Sequence, residues 1–209
     1  AMVFSSMVFL CIFLPVVFLL HLLLPGIRAK NGMLLLASLI FYAYGEPVYV
    51  ILMIASAFVN YLSALLIGRT PAGKKAVMAV NVILNLGVLV LFKYTGFLAE
   101  SVNTILGTAI PVPSIRLPIG ISFFTFQAMS YVIDVYRGVT GAQKNFGKVL
   151  LYISFFPQLI AGPIVKYHDI AQEIENRTQT VDGVTDGIRR FIVGLSKKVL
   201  ISNTVGLVA

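Results

Sequence analysis

Long apolar runs constrain the fold of this chain more than any other feature of its sequence. Hydrophobic residues make up 58% of its 209 residues and charged residues only 11%, whereas a soluble domain carries about 25% charged residues. A helix of about 20 residues crosses a hydrocarbon core of about 30 Å. The sequence therefore predicts an all-α fold, a polytopic transmembrane helical bundle that spans residues 1–209 as one domain. The apolar runs are Met2–Leu24, Met33–Tyr44, Val48–Ile67, Ala76–Phe92 and Val149–Val165, and Leu117–Gly138 looks like a span that carries polar residues. Glu100–Arg116 is predicted to be a polar loop, and Thr185–Val208 is predicted to be a last helix that carries four basic residues.

The basic residues lie between the apolar runs and alternate from one side to the other. Arg28 and Lys30 follow the first run, the "YGEPVY" turn carries no Lys or Arg, and the "GRTPAGKK" loop is basic again. Because cytoplasmic loops are enriched in Lys and Arg, this alternation predicts a multi-pass membrane protein with an extracytoplasmic N-terminus. The net charge of +8 is thus expected to meet anionic membrane lipids rather than nucleic acid.

The run Val149–Val165 is long enough to be scored as a span, but proline interrupts it. Pro157 removes one backbone donor, and Gly162-Pro163 breaks the helix again. A crossing would place the following basic residues outside, so a re-entrant segment is predicted instead. Its free carbonyls would face protein or a wet cavity, because lipid cannot satisfy them. The predicted lining of this cavity includes Pro157, Gly162, Pro163, Lys166 and His168.

A polar stripe marks the stretch "LPIGISFFTFQAMSYVIDVYRG", Leu117–Gly138. Its members recur at helical spacing, so they share one face and complete the set of candidate cavity residues: Gln127, Ser130, Asp134 and Arg137. Pro118 suits the first helical turn and Gly138 the end. Asp134 and Arg137 can pair across one turn. The stripe is either interhelical hydrogen bonding or part of a substrate cavity, and Gln127, nearest the middle, suits the cavity best.

Amide and small side chains on two other runs indicate helix packing. Ser56, Asn60 and Ser63 share one face, as do Asn81 and Asn85, which predicts hydrogen bonds between helices. Neither His21 nor His168 has further ligands at metal spacing, so no metal site is predicted. From the residues alone, a transporter suits these features as well as an enzyme does, and a helical scaffold of an export complex is a further alternative.

Four segments resemble the membrane-bound O-acyltransferase family, specifically the alginate O-acetylation type. They are "MVFSSMVFLCIFLPV", "KNGMLLLASLIFYAYGEP", "LPIGISFFTFQAMSYVIDVYRG" and "FFPQLIAGPIVKYHDI", the last followed by "GLSKKVLISNT". The resemblance identifies the chain as the N-terminal part of such a protein. It implies transfer of acyl groups, commonly acetyl, from a cytoplasmic donor such as acetyl-CoA across the bacterial inner (cytoplasmic) membrane toward hydroxyls of an extracytoplasmic polysaccharide. An extracytoplasmic acetyltransferase would be the partner that completes the transfer.

The resemblance also implies a catalytic histidine, which in this family acts in a late, buried helix as a general base or an acyl relay. That histidine is expected beyond Ala209, so no catalytic residue is assigned within residues 1–209, and His168 does not inherit the role. These residues alone are expected to be inactive. The sequence after Ala209 would separate the hypotheses: a helix with a buried histidine beside Trp or Asn favours the acyltransferase, and an inverted repeat favours the transporter.

Overall fold

Nine α-helices account for most of the residues that the computed structural model describes. These residues are 6–70, 72–107, 111, 116–159, 163–202 and 205–206. An all-α fold is thus confirmed for the described residues. The helices are α1 Leu14–Leu23, α2 Ile27–Gly45, α3 Tyr49–Arg69, α4 Lys74–Lys93, α5 Thr95–Leu106, α6 Ile121–Arg137, α7 Phe146–Ser154, α8 Tyr167–Asn176 and α9 Val181–Ser196, with π-helical turns at Phe9–Phe13 and Lys197–Ser202.

Two of the described helices are long and apolar enough to cross a membrane, namely α3 and α4. They correspond to the predicted runs Val48–Ile67 and Ala76–Phe92. Phe9–Leu23 is a shorter apolar helical stretch. A π-helical turn directly precedes Pro15, which has no N–H to donate to the preceding turn.

Helices α3, α4 and α6 pack together around small residues and a network of amides. Ala57 and Ala64 of α3 and Ala128 of α6 are fully buried, and such small side chains let helix backbones approach closely. Between α3 and α4, Asn60 and Asn85 exchange a pair of side-chain hydrogen bonds of 3.0 and 3.1 Å. The predicted contact between the two amide faces is confirmed.

Hydrogen bonds at the helix ends divide the bundle into two ends. At the first, which we call the Glu46 end, Arg116 donates to the Glu46 carboxylate at 3.2 Å, and the Tyr42 hydroxyl donates to the Ile119 carbonyl at 3.0 Å. At the other, which we call the basic end, the Tyr61 hydroxyl donates to the Lys144 carbonyl at 2.8 Å and Lys148 pairs with Glu175. The basic end thus gathers the loop after α6 with the starts of α2 and α7 and the end of α8.

Three local predictions are wrong. Thr95–Leu106 is a helix where a polar loop is predicted from Glu100, because its apolar residues recur at helical spacing among the polar ones. Helix α9 begins at Val181 rather than Thr185, since Thr180 caps it by accepting from Gly183 N at 3.1 Å. Pro118 lies before α6 and not in its first turn as predicted, because α6 begins at Ile121 with Gly120 at the N-cap position.

Glycines define both ends of α6. Gly120 has φ +77°, and a Cβ at that position would lie 3.1 Å from the Leu159 carbonyl oxygen. Gly138 has φ +75° and donates to the Val135 carbonyl at 3.1 Å. Both positions lie in the left-handed region that favours glycine. The prediction that Gly138 ends this helix is confirmed.

The described residues after α7 make contacts at both ends of the bundle. Helix α7 ends at Ser154, and Leu159 lies beside Gly120, near the Glu46 end. The Tyr152 hydroxyl donates to the Val165 carbonyl at 2.7 Å. Helix α8 then follows, and its Glu175 pairs with Lys148 at the basic end. The chain therefore returns to the end of the bundle at which α7 began.

Candidate functional site

The polar face of α6 meets α7 through Gln127. The Gln127 amide is buried and its Nε2 donates to the Tyr152 carbonyl at 2.8 Å. Gln158 Nε2 donates to the same carbonyl at 2.7 Å. Ser130 turns back to its own helix and donates to the Gln127 carbonyl at 2.8 Å. The bonds from Gln127 and Gln158 satisfy the Tyr152 carbonyl, which lies near the end of the short helix α7 and has no helical partner.

Tyr152 joins this polar face to residues 155–168, which connect α7 with the first turn of α8 and which we call the returning segment. Its side chain is fully buried, and its hydroxyl donates to the Val165 carbonyl at 2.7 Å. Its ring packs edge-on against Tyr167, with 5.2 Å between the ring centroids. Tyr167 in turn lies 4.8 Å from the Tyr131 ring of α6. The aromatic cluster therefore fixes the start of α8 against α6.

Asp134 pairs with His168 and not with Arg137, which corrects the predicted pair. His168 Nδ1 lies 3.1 Å from Asp134 Oδ2, and its Nε2 lies 3.1 Å from Asp169 Oδ1. Arg137 is exposed at the last position of α6. The aromatic cluster places the first turn of α8 against the buried Asp134 carboxylate, whereas Arg137 extends past it. A neutral imidazole can donate to one of these carboxylates, and a protonated one to both.

The remaining candidates lie on the returning segment. Pro157 and Pro163 are exposed, and Gly162 lies outside the described residues. Lys166 is exposed at the N-cap position of α8. The nine candidates thus come together only in part: Gln127, Ser130, Asp134 and His168 lie around Tyr152, whereas Arg137 and Lys166 extend away from it. Their part in a substrate cavity stays a prediction.

An apolar groove of about 390 Å³ runs between α1, α7 and α8. Its walls are almost entirely hydrophobic, and the eight predicted residues that the structure describes do not line it. The side chains of His21, Glu173 and Arg177 line it as well. The residues of its apolar wall are Leu14, Val17, Phe18, Leu34, Leu151, Phe155, Phe156, Ile170 and Ile174.

A polar cluster joins α1, α2 and the segment after α8 at this groove. Arg177 Nε and Nη2 lie 3.2 and 3.0 Å from His21 Nε2, and its Nη1 donates to Asn31 Oδ1 at 2.7 Å. Gln179 Nε2 lies 2.8 Å from His21 Nδ1, and Lys30 Nζ donates to Gln179 Oε1 at 3.1 Å. Burial lowers the pKa of the Arg177 guanidinium from its usual value. Sequence reasoning misses this cluster, because no local pattern relates His21 to a residue 156 positions away.

A second cavity, of about 520 Å³, lies at the basic end and has both polar and apolar lining residues. Arg28, Asn31, Asn145, Lys148 and Glu175 are among its lining residues. The hydrogen bond from Lys148 holds the pKa of the Glu175 carboxyl below its usual value. Arg28 and Lys148 outnumber this single carboxylate, so the cavity suits an anionic group. Among the described residues, no group of three or more His, Cys, Asp and Glu side chains could hold a metal ion.

Comparison with known proteins finds relatives along the whole chain. The chain is 41% identical to the "Probable alginate O-acetylase AlgI" of Pseudomonas syringae pv. tomato over 215 aligned residues, which cover 100% of this chain and 41% of that protein. It is 42% identical to the protein of the same name from Pseudomonas aeruginosa, again over 100% of this chain and 41% of the relative. A peptidoglycan O-acetyltransferase of Helicobacter pylori is 32% identical over 97% of this chain and 45% of the relative.

The chain thus spans about two fifths of the length of these curated relatives. No family model matches it, and no solved structure matches it.

Proposed function

Because the chain belongs to the membrane-bound O-acyltransferase family, with the alginate O-acetylases, we propose that its protein transfers acetyl groups to an extracytoplasmic polysaccharide. The observation that carries the proposal is the identity of 41–42% to alginate O-acetylases over the entire chain. The peptidoglycan O-acetyltransferase adds a second relative whose named acceptor is a cell-surface polysaccharide. The acceptors are hydroxyls of such a polymer, and an acetyltransferase outside the membrane is the partner that completes the transfer.

In this proposal the protein lies in the inner membrane of a bacterium with its basic end in the cytoplasm. The supporting observation is that Lys30, Lys144 and Lys148 lie at the same end of the bundle, as the positive-inside rule requires. The N-terminus is then extracytoplasmic. The described helices form part of a polytopic bundle in which α3 and α4 cross the membrane.

The segment from α7 to α8 is re-entrant in the same proposal. Two contacts support this: Leu159 lies beside Gly120 near the Glu46 end, and Glu175 pairs with Lys148 at the basic end. Irregular backbone at membrane depth requires partners from protein. Tyr152 supplies one of them by donating to the Val165 carbonyl. The segment thus enters and leaves at the cytoplasmic face.

The acyl donor, for which acetyl-CoA is the proposed identity, arrives at this basic end. The cavity bordered by Arg28 and Lys148 supports this, because a donor that carries phosphates requires cations at its entry. Lys166 and His168 of the returning segment face the same side of the proposed membrane. The nine candidate residues are proposed to line the path from there toward the bundle interior.

Deletion of the gene tests the proposed function. We expect the secreted polysaccharide to lose its ester-linked acetyl groups while its yield is retained, and the intact gene to restore them. The measurement is the acetyl content of the purified polymer by proton NMR, before and after mild alkaline hydrolysis. If secretion stops and the residual polymer keeps its normal acetyl content, the protein serves export, as a transporter or scaffold, and not acetylation.

Cysteine accessibility tests the proposed topology. In a Cys11→Ser background, Lys30→Cys, Lys74→Cys and His168→Cys are expected to resist a membrane-impermeant thiol reagent in intact cells and to react after permeabilisation. Glu46 is buried, so the exposed Pro47 of the same turn serves as the matched control, and Pro47→Cys should react in intact cells. Labelling of Lys30→Cys and Lys74→Cys from outside would contradict the orientation, and labelling of His168→Cys alone would contradict the re-entrant segment.

A further inference from the structure

The groove between α1, α7 and α8 has an apolar wall and one lining cation, Arg177, and a second cation, Lys30, reaches the same polar cluster through Gln179. Arg177 contacts only neutral acceptors, His21 Nε2, Asn31 Oδ1 and the Glu173 carbonyl. Lys30 likewise donates to the amide of Gln179. Among the described residues, neither cation has a carboxylate within ion-pair distance, and the Glu173 carboxylate is the one acidic group in the groove lining. Arg177 and Lys30 therefore outnumber the single Glu173 carboxylate at the mouth of the groove.

The apolar wall of this groove continues into the exposed apolar side of α1. Helix α1 supplies Leu14, Val17 and Phe18 to its wall. The neighbouring apolar residues of α1, among them Leu19, Leu20 and Leu23, are exposed. A helix with exposed apolar side chains faces lipid in a membrane protein. An acyl chain can therefore enter the groove sideways along α1.

The cations lie where a lipid headgroup would be. Lys30 is in the first turn of α2 and Arg177 follows α8, where it contacts His21 near the end of α1, so both cations belong to the polar border of the apolar helices. Guanidinium and ammonium groups bind phosphate through charge-assisted hydrogen bonds. Basic groups at the cytoplasmic border of a membrane protein attract anionic lipids.

We propose that this groove is a binding site for one anionic phospholipid of the cytoplasmic leaflet. One acyl chain lies against the apolar wall, and the phosphate lies at Arg177 and Lys30. The lipid would neutralise the cations and hold α8 against α1. Lipid binding is measured without donor or polysaccharide, so this proposal is tested separately from the proposed acyl transfer. A loss of lipid binding and a loss of acetylation are therefore distinguishable.

Native mass spectrometry of the full-length protein in detergent tests the proposal. The probes are phosphatidylglycerol and phosphatidylcholine with identical acyl chains. The wild type is expected to retain phosphatidylglycerol preferentially. The Lys30→Gln and Arg177→Gln substitutions should each lower that preference about fivefold, whereas Lys75→Gln, an exposed lysine at the start of α4, should leave it unchanged.

A second pair of variants tests the apolar wall. Leu14→Trp fills the groove and should lower retention of both lipids, whereas Leu19→Trp, on the exposed side of the same helix, should not. Lys30→Gln leaves the contact between Arg177 and His21 in place, so its result stands even if Arg177→Gln reduces folding. Equal retention of the two lipids by the wild type would overturn the proposal. So would retention unaffected by Leu14→Trp, as expected if another segment of the protein covers the groove.

Discussion

Replacement of Tyr152 by alanine is expected to lower the stability of the protein by about 3–5 kcal/mol, the typical effect of deleting a large buried aromatic ring. Tyr152 is fully buried, contacts the Tyr167 ring and donates to the Val165 carbonyl. Its loss opens a cavity beside α6 and frees the returning segment. The measurement is the thermal unfolding of the purified protein in detergent.

Two controls separate the ring from the hydroxyl. Tyr152→Phe retains the ring and should cost about 0.5–1.5 kcal/mol, the net value of one hydrogen bond. Phe97→Ala truncates an aromatic side chain that is 66% exposed on α5 and should have a much smaller effect. If Tyr152→Ala is no more destabilising than Phe97→Ala, the aromatic cluster does not hold α7 and α8 in place.

Loss of the central amide between α3 and α4 is the second large effect. Asn60 is fully buried, exchanges two hydrogen bonds with Asn85 and accepts one from Asn81 at 3.1 Å. Asn60→Leu has nearly the same volume but removes these partners. We expect a loss of about 2–4 kcal/mol, because Asn85 Oδ1 loses its donor and the two amide donors lose an acceptor inside the bundle.

The matched control is the same substitution at an exposed asparagine. Asn176→Leu, at the last position of α8, should change the unfolding temperature little. The double variant Asn60→Leu/Asn85→Leu should cost clearly less than the sum of the two single variants, since both remove the same pair of bonds. Fully additive losses would show that the two amides do not depend on each other.

Apolar periodicity and small polar residues predict the parts of the fold that depend on local sequence. The runs around α3 and α4 and their facing asparagines follow from residues that share a helix face. The second half of α5 is wrongly predicted as a loop, because Glu100, Ser101 and Thr104 are polar. The apolar residues of α5 nevertheless recur at helical spacing, at Leu98, Val102 and Ile105. In so short a segment, helical spacing of a few apolar residues does not distinguish an amphipathic helix from a loop, because the same polar residues are exposed in both.

The candidate site depends on contacts that local spacing cannot express. Spacing places Asp134 on the same face as Arg137, but the returning segment brings His168 to the carboxylate from 34 positions away. In the same way, Arg177 meets His21 and Asn31 across 156 and 146 positions. These partners are set by how the segment between α7 and α8 turns. The groove and the position of its cations therefore could not be predicted from the sequence, because they depend on tertiary contacts.

The central claim is that acetyl groups leave a cytoplasmic donor and reach a polysaccharide outside. Membrane vesicles from the producing bacterium, prepared inside-out and right-side-out, test it with acetyl-CoA labelled on the acetyl group. The account predicts alkali-labile label on the polysaccharide when the donor meets the cytoplasmic face of inside-out vesicles. It also predicts no label with right-side-out vesicles or with membranes from the gene deletion. Equal labelling by vesicles of both orientations, or labelling that persists in the deletion, would contradict it.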